Sequence, residues 1–246
     1  LSVRLSRIHV PGPLRAGEAL TLPDASAHYA ARVLRLRPGD AVVLFDGGGG
    51  EYAATVDSVG RRAVRLQIGE HLVLERESPT RLSLALGISR GERMDYAVQK
   101  AVELGVQHIV PLVTERCAVR LDERRAENRC GHWRKVMISA CEQCGRNRIP
   151  EIDPVTEYGS WLTRGREGLG LVFGPEADTP LARLAPKPDT PITALIGPEG
   201  GLSDHELERA RRAGFTAVRL GPRVLRTETA AVAALVAIQV RWGDLG

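Results

Sequence analysis

The sequence has 246 residues, 43% of them hydrophobic and 26% charged, with a net charge of +4 from 34 basic and 30 acidic side chains. That is enough apolar material for one large domain or two smaller ones, and it excludes a disordered or fibrous chain. The longest apolar run, Ala230 to Ile238, falls short of the roughly 20 residues a bilayer span needs, and no secretory signal is visible, so a cytoplasmic protein is expected.

Residues 1–75 read as mostly β. Ala41-Val42-Val43-Leu44-Phe45 and Tyr52-Ala53-Ala54-Thr55-Val56 are strand-like, and Asp46-Gly47-Gly48-Gly49-Gly50 between them is a hairpin loop. A third strand fits Ala63 to Ile68, and a short helix fits Ser26 to Leu36, capped by Asp24 or Ser26. Several short strands with one helix predict a small β-barrel over 1–75. Around Glu75 to Pro79 the pattern changes, and 76–246 alternates strands with helices. Strands are expected at Leu82–Ile88, Ile109–Val113, Gly170–Phe173, Ile192–Ile196 and Ala217–Leu220. Helices are expected at Glu92–Leu104, closed by Gly105, at Asp122–Cys144, at Asp204–Ala213 and at Thr227–Trp242. Such alternation implies an α/β fold on a parallel sheet. The segment Ala230–Ile238 is apolar on every helical face, which a core position explains and a subunit interface would also satisfy.

Charge is clustered. Between Arg116 and Arg148 stand nine basic residues, Arg116, Arg120, Arg124, Arg125, Arg129, Arg134, Lys135, Arg146 and Arg148, against four acidic ones. This excess accounts for the whole imbalance and suits either phosphate binding or a solvated helix face. Aromatic residues make up only 4%, which disfavours a stacking platform for single-stranded RNA. Cys141 and Cys144 have CxxC spacing, but Cys117 and Cys130 do not form the second pair a zinc site would want; buried helix cysteines are the favoured reading. The six histidines show no metal spacing, and no metal is expected.

Three loops follow apolar strands, where ligands bind in open α/β sheets. They are Phe173-Gly174-Pro175-Glu176, Ile196-Gly197-Pro198-Glu199-Gly200-Gly201, and Leu220-Gly221-Pro222-Arg223-Val224-Leu225-Arg226-Thr227-Glu228-Thr229-Ala230. Ser203 and Glu206 form a capping box after the second. The dinucleotide fingerprint G-x-G-x-x-G is absent from all three, so a ligand held here needs another loop arrangement.

Gly197-Pro198-Glu199-Gly200-Gly201 followed by Leu220 to Ala230 resembles the SPOUT-class 16S ribosomal RNA uracil-N3 methyltransferases. Gln99 to Val106, Thr114-Glu115-Arg116-Cys117 and Ala140-Cys141-Glu142-Gln143-Cys144-Gly145-Arg146-Asn147-Arg148 resemble other segments of that family. The resemblance implies a PUA-like β-barrel that helps to hold RNA, followed by an α/β domain with a deep trefoil knot. It further implies S-adenosylmethionine held by the three loops, at Phe173, Gly174, Pro175, Ile196, Gly197, Pro198, Glu199, Gly200, Gly201, Leu220, Gly221, Leu225, Arg226, Thr227 and Thr229. The expected partners are a second copy of the chain, in a homodimer, and 16S ribosomal RNA of the small subunit, methylated at N3 of one specific uridine (1498). Glu142, Gln143, Arg146 and Arg226 are expected to shape the uridine pocket; the alternative for Glu142 and Arg146, four apart, is a helix-supporting ion pair. Arg7, Arg32, Arg35 and Arg116 are expected to meet RNA phosphates. Another RNA target, either a ribose 2′-OH or a tRNA, and a non-catalytic RNA-binding assembly factor are the competing readings.

Overall fold

The computed structural model describes residues 5–60, 63–119 and 121–246, with the backbone alone at 24 and 25; Arg120 lies outside the described residues. The chain packs as two compact units: Leu1–Glu77 with Cys141–Ile149, and Ser78–Ala140 with Pro150–Gly246.

The first unit contains β1 (Ser6–His9), β2 (Ala19–Thr21), α1 (Asp24–Arg32), β3 (Ala41–Phe45), β4 (Glu51–Val59) and β5 (Val64–Leu72). The sheet runs β1-β3-β4-β5-β2. Only β1 and β3 pair in parallel, and β3 and β4 form the expected hairpin. Ile8, Leu44, Val56 and Leu66 fill its core at 0–1% exposure. β1 and β2 are too short for a two-residue period to stand out in the sequence. α1 begins after Pro23 without a side-chain cap and ends at Arg32 rather than Leu36. Past Val33 its amides reach back beyond the helical spacing, Leu36 N–H to Ala30 O, and Arg35 turns left-handed at φ 54°.

The expected continuous division near residue 75 is corrected by Cys141–Ile149, which packs with the N-terminal elements. Buried polar groups hold it there. Gly145, at φ 95°, stops the preceding helix and donates its N–H to Cys141 O. Arg146 is therefore off the helix, and its guanidinium grips the Glu77 carboxylate at 2.5–3.2 Å rather than Glu142. Asn147 is fully buried, donates Nδ2–H to Leu74 O at 2.5 Å and accepts from the Arg7 guanidinium. Arg7 also donates to Glu51 at 2.5 Å. With its side chain only 7% exposed, Arg7 is a buried structural cation, which corrects its expected place on an RNA-facing surface. Arg32 and Arg35 are exposed.

The second unit contains β6 (Leu82–Gly87), α2 (Glu92–Glu103), β7 (His108–Val113), α3 (Glu123–Cys144), whose last turn belongs to the first unit, β8 (Glu151–Ile152), β9 (Thr156–Glu157) and α4 (Tyr158–Thr163). It continues with β10 (Leu169–Phe173), β11 (Thr179–Pro180), a 3-10 turn at Leu181–Arg183, β12 (Ile192–Ile196), α5 (Asp204–Arg212), β13 (Phe215–Arg219) and α6 (Thr227–Trp242). The sheet order is β11-β13-β10-β12-β6-β7-β8, with β9 on β7, and every pairing is parallel. Leu84, Leu86, Leu112 and Leu195 are at 0% exposure, as expected of strands covered on both faces. No helix is long and apolar enough to cross a membrane among the described residues.

α6 packs on α2 and β12. It is not buried all round: Ala231, Ala234, Leu235 and Ile238 form the covered stripe, whereas Thr229 and Val240 are exposed and Val232, Ala233, Val236 and Ala237 half-buried. Gln239, at 0% exposure, donates to Leu104 O at 2.7 Å and accepts from Ser78 Oγ at 2.9 Å. Cys130 and Cys141 are buried on α3, and burial pushes the Cys141 thiol up to about 12, so it stays protonated and unreactive. Cys117 lies in the loop after β7 and donates to Ile88 O.

Replacing Arg146 by Ala leaves the Glu77 carboxylate, 15% exposed, without its counter-ion. The expected loss of unfolding free energy is about 3–5 kcal/mol in urea denaturation, against under about 1 kcal/mol for Arg125→Ala on the exposed face of α3.

Candidate functional site

Because the pairings are parallel, β13, β10 and β12 end side by side at one edge of the sheet. The three Gly-Pro loops leave from these adjacent ends and enclose a cavity of about 630 Å³, within the range that takes a cofactor-sized ligand. Of the fifteen expected cofactor residues, Phe173, Gly174, Pro175, Ile196, Gly197, Pro198, Glu199, Gly200, Gly201, Leu220, Gly221, Leu225, Arg226 and Thr227 line it. Thr229 does not: two residues beyond Thr227, it turns to the exposed side of α6. Val172, Ala177, Leu202 and Ala230 extend the apolar wall, Arg223 of the third loop adds a cation, and Arg93 and Arg211 add two more that no sequence motif marked.

Local packing explains the glycines. A Cβ on Gly87, at the end of β6, would stand 2.4 Å from Pro198 N, so the second loop can lie on the sheet end only where that residue has no side chain. Gly221 is left-handed at φ 92°, which lets the third loop turn back toward the second. A Cβ on Gly174, by contrast, would meet nothing within 4 Å. Nothing in the chain's own packing requires glycine there, and the bare backbone fits a surface reserved for a ligand.

The second loop is held by charge. Glu199 Oε1 accepts from Arg90 N at 2.9 Å and from Arg93 Nη1 at 3.1 Å, which aims its carboxylate at the start of α2. Burial acts to raise the Glu199 carboxyl, but these donors together outweigh it and hold the group below the ordinary carboxylate range. Glu199 therefore anchors its loop with its carboxylate instead of offering it freely to a ligand. Arg116 was expected at an RNA surface. It lines the cavity, and its Nη1 donates to Gly200 O at 3.3 Å and Leu202 O at 3.4 Å.

Glu206 joins these parts. The capping box at the start of α5 is present: Glu206 N–H donates to Ser203 Oγ at 3.1 Å, and Ser203 N–H donates to Glu206 Oε2 at 2.9 Å. The other oxygen, Oε1, accepts from Glu115 N at 2.9 Å in the loop after β7. Tyr158 Oη donates to Glu206 O at 2.7 Å. At 2% exposure, this one residue ties the helix start, the second cavity loop and the Glu115–Arg116 loop together. Glu142, Gln143 and Arg146 belong to the first unit; Arg226, exposed, is the one expected uridine-pocket residue on the cavity wall. His9 N–H donates to Glu142 Oε1 at 3.0 Å, and Gln143 is exposed. Burial raises the Glu142 carboxyl above its ordinary pKa despite that bond and the nearby Arg7 charge.

Glu206→Ala removes the acceptors of two backbone N–H groups and is expected to cost about 2–4 kcal/mol in urea denaturation. Ser203→Ala, which breaks only one arm of the capping box, is expected to cost about 1 kcal/mol.

A model described as an RNA methyltransferase domain matches residues 76–239, and one described as an RNA methyltransferase PUA domain matches residues 22–69. The ribosomal RNA small subunit methyltransferase E of Buchnera aphidicola subsp. Schizaphis graminum is 35% identical over 243 residues, 98% of either chain. A Legionella pneumophila structure, described as a methyltransferase with bound cofactor S-adenosylmethionine, matches with a TM-score of 0.95 at 40% identity, over 99% of this chain and 100% of that one. The Neisseria gonorrhoeae ribosomal RNA small subunit methyltransferase E, bound to S-adenosylmethionine, matches with a TM-score of 0.91 at 37% identity, over 99% of this chain and 100% of that one. A PUA domain near the N-terminus, a parallel α/β unit with a loop-lined cavity and near-complete likeness to these proteins agree: the chain belongs to the RNA methyltransferase family that includes the ribosomal RNA small subunit methyltransferases E.

Proposed function

We propose that this chain transfers a methyl group from S-adenosylmethionine to small-subunit ribosomal RNA, at N3 of one uridine. The observation that carries the reading is the cavity where β13, β10 and β12 end, lined by fourteen of the fifteen residues expected to hold the donor. Its apolar wall, including Ile196, Leu202, Leu220 and Leu225, suits an adenine ring, and the exposed loop backbones offer N–H and C=O groups for the donor's polar edges. When bound, S-adenosylmethionine supplies an electrophilic methyl carbon on a sulfonium.

The acceptor sets the remaining demands. N3 of uracil carries a proton at neutral pH and must lose it to attack. The charge left behind spreads over the O2 and O4 carbonyls, where a fixed cation stabilises it; Arg226 on the cavity wall is the residue we assign to this task. We assign proton acceptance to Glu142, whose raised carboxyl is a stronger base than an ordinary carboxylate. Gln143 is assigned to the uridine edge and Arg146, locked to Glu77, to positioning its segment. Arg32 and Arg35 remain the cations of the first unit assigned to RNA phosphates.

The reading includes a homodimer in the cytoplasm, with the C-terminal segment threaded as a trefoil knot. The apolar stripe of α6 made by half-buried Val232 and Val236 and exposed Val240 supports the dimer because a second copy would cover it. Val236→Glu is expected to shift the protein to monomer in analytical ultracentrifugation, and a variant that sediments as the wild type does would remove this face from the interface.

Calorimetry with S-adenosylmethionine tests the donor site, and nucleoside mass spectrometry of ribosomal RNA from a deletion strain tests the product. Loss of 3-methyluridine, restored by the gene, is expected; loss of a 2′-O-methyl nucleoside or of a tRNA mark would reassign the target. Glu142→Gln is expected to lower turnover by about 10²–10⁴-fold with donor affinity unchanged. In the wild type, activity is expected to fall as the pH drops through the raised Glu142 value, since only the ionised carboxylate can take the proton. That acid limb should vanish in the residual activity of the variant.

A further inference from the structure

We propose that the outer face of α3 is a binding surface for the phosphate backbone of the substrate RNA, away from the nucleotide that is methylated; this rests on the RNA methyltransferase reading above. Successive residues of a helix turn by about 100°, which places Arg124, Asn128 and Lys135 within roughly 40° of one another. Ser139 and His132 come next around the helix and Arg125 follows them, whereas half-buried Arg129 lies farther round, beside buried Ala140. Cys130, Trp133, Met137 and Ala140, all buried at 1–4% exposure, occupy the opposite side. Arg124, Arg125, Asn128, His132, Lys135 and Ser139 are exposed. The acids of the helix on this stretch, Glu123 and Glu127, lie with Arg134 beyond Arg124, Glu127 about 60° from it, and Asp95 of α2 stands beside His132, so acids border the face while its centre carries cations and neutral polar groups.

A merely solvated helix gains from opposite charges three or four residues apart. Opposite charges meet here only at the first turns, Asp122 with Arg125 and Arg124 with Glu127; the i,i+4 pairs Arg125–Arg129 and Glu123–Glu127 are like-charged, and no acid follows on α3 before Glu142, an arrangement that suits a polyanion laid along one side. Among the described residues Arg125 pairs only with exposed Asp122, and no ion pair engages Arg124, Arg129 or Lys135. The face is also held in place. Asp95 of α2 accepts from Trp133 Nε1 at 3.1 Å and lies 2.7 Å from His132 Nε2, which fixes the rotation of α3. Arg124 and Lys135 are eleven residues apart, a rise of about 16 Å, so the cations span several phosphates rather than one.

The test uses full-length protein and small ribosomal subunits from cells lacking this chain, with binding measured over a salt series. Arg124→Ala/Arg125→Ala/Lys135→Ala is expected to bind at least tenfold more weakly, with the slope of log affinity against log salt shallower by about 2–3. Affinity for S-adenosylmethionine and far-UV circular dichroism are expected to match the wild type. The single variant Lys135→Gln, expected to lower the slope by about 1, serves should the triple variant misfold. Arg134→Ala, a charge removed from the same helix off the face, is expected to have a smaller effect. An unchanged slope in the face variants, or an equal loss from Arg134→Ala, overturns the surface. Wild-type protein that binds S-adenosylmethionine but not the subunits overturns instead the RNA reading on which it rests.

Discussion

Parallel pairing of β13, β10 and β12 is the constraint on which the site depends. Strands paired in this sense finish at the same edge, so their following loops must share one space whatever their separation along the chain. Residues near 174, 197 and 221 thereby become neighbours. The strands are buried on both faces, and a one-residue slip of β12 would carry Gly197 away from the β6 end on which its loop lies. The register that satisfies the core therefore also shapes the cavity.

Around that cavity the chain spends many of its charged groups on holding loops. Glu199 is turned to the start of α2, Arg116 is stitched to two carbonyls of the second loop, and Glu206 serves a helix cap and a neighbouring loop with its two oxygens. Such pre-organisation suits the proposed donor site, since loops already in place lose little freedom when a ligand enters. It leaves bare backbone and apolar side chains as the exposed wall, with Arg226 among the cations that remain. The first unit does the same with Cys141–Ile149. Arg7, Arg146 and Asn147, with Glu51 and Glu77, form a paired network that would be costly to bury in part and holds one geometry when complete.

The misreadings share a cause. Arg7 looks in sequence like any other surface arginine, and only its partner, 44 residues away, reveals it as a buried ion-pair member; Arg116 is exposed, and its role as a loop staple comes from a carbonyl 84 residues away. Glu142 and Arg146 have ion-pair spacing on a helix, but Gly145 ends the helix between them and Glu77 takes the guanidinium. Ala230–Ile238 of α6 is uniformly apolar, and nothing local tells the side that meets α2 and β12 from the side left half-open.

The sequence by itself determined the five long strands and four long helices of the second unit to within about two residues, though not β8, β9, α4 or β11, together with the β3–β4 hairpin, the capping box and the three Gly-Pro loops. Each of these is written in a local signal: hydrophobic period, a cap, or a glycine where the backbone must bend or be approached. Only the tertiary structure decided that the three loops meet, that Thr229 faces away from them, and that Cys141–Ile149 packs with the N-terminal unit. Those outcomes depend on strand order and on which buried charge finds which partner, and both are settled by contacts between residues tens of positions apart that leave no periodic trace in the chain.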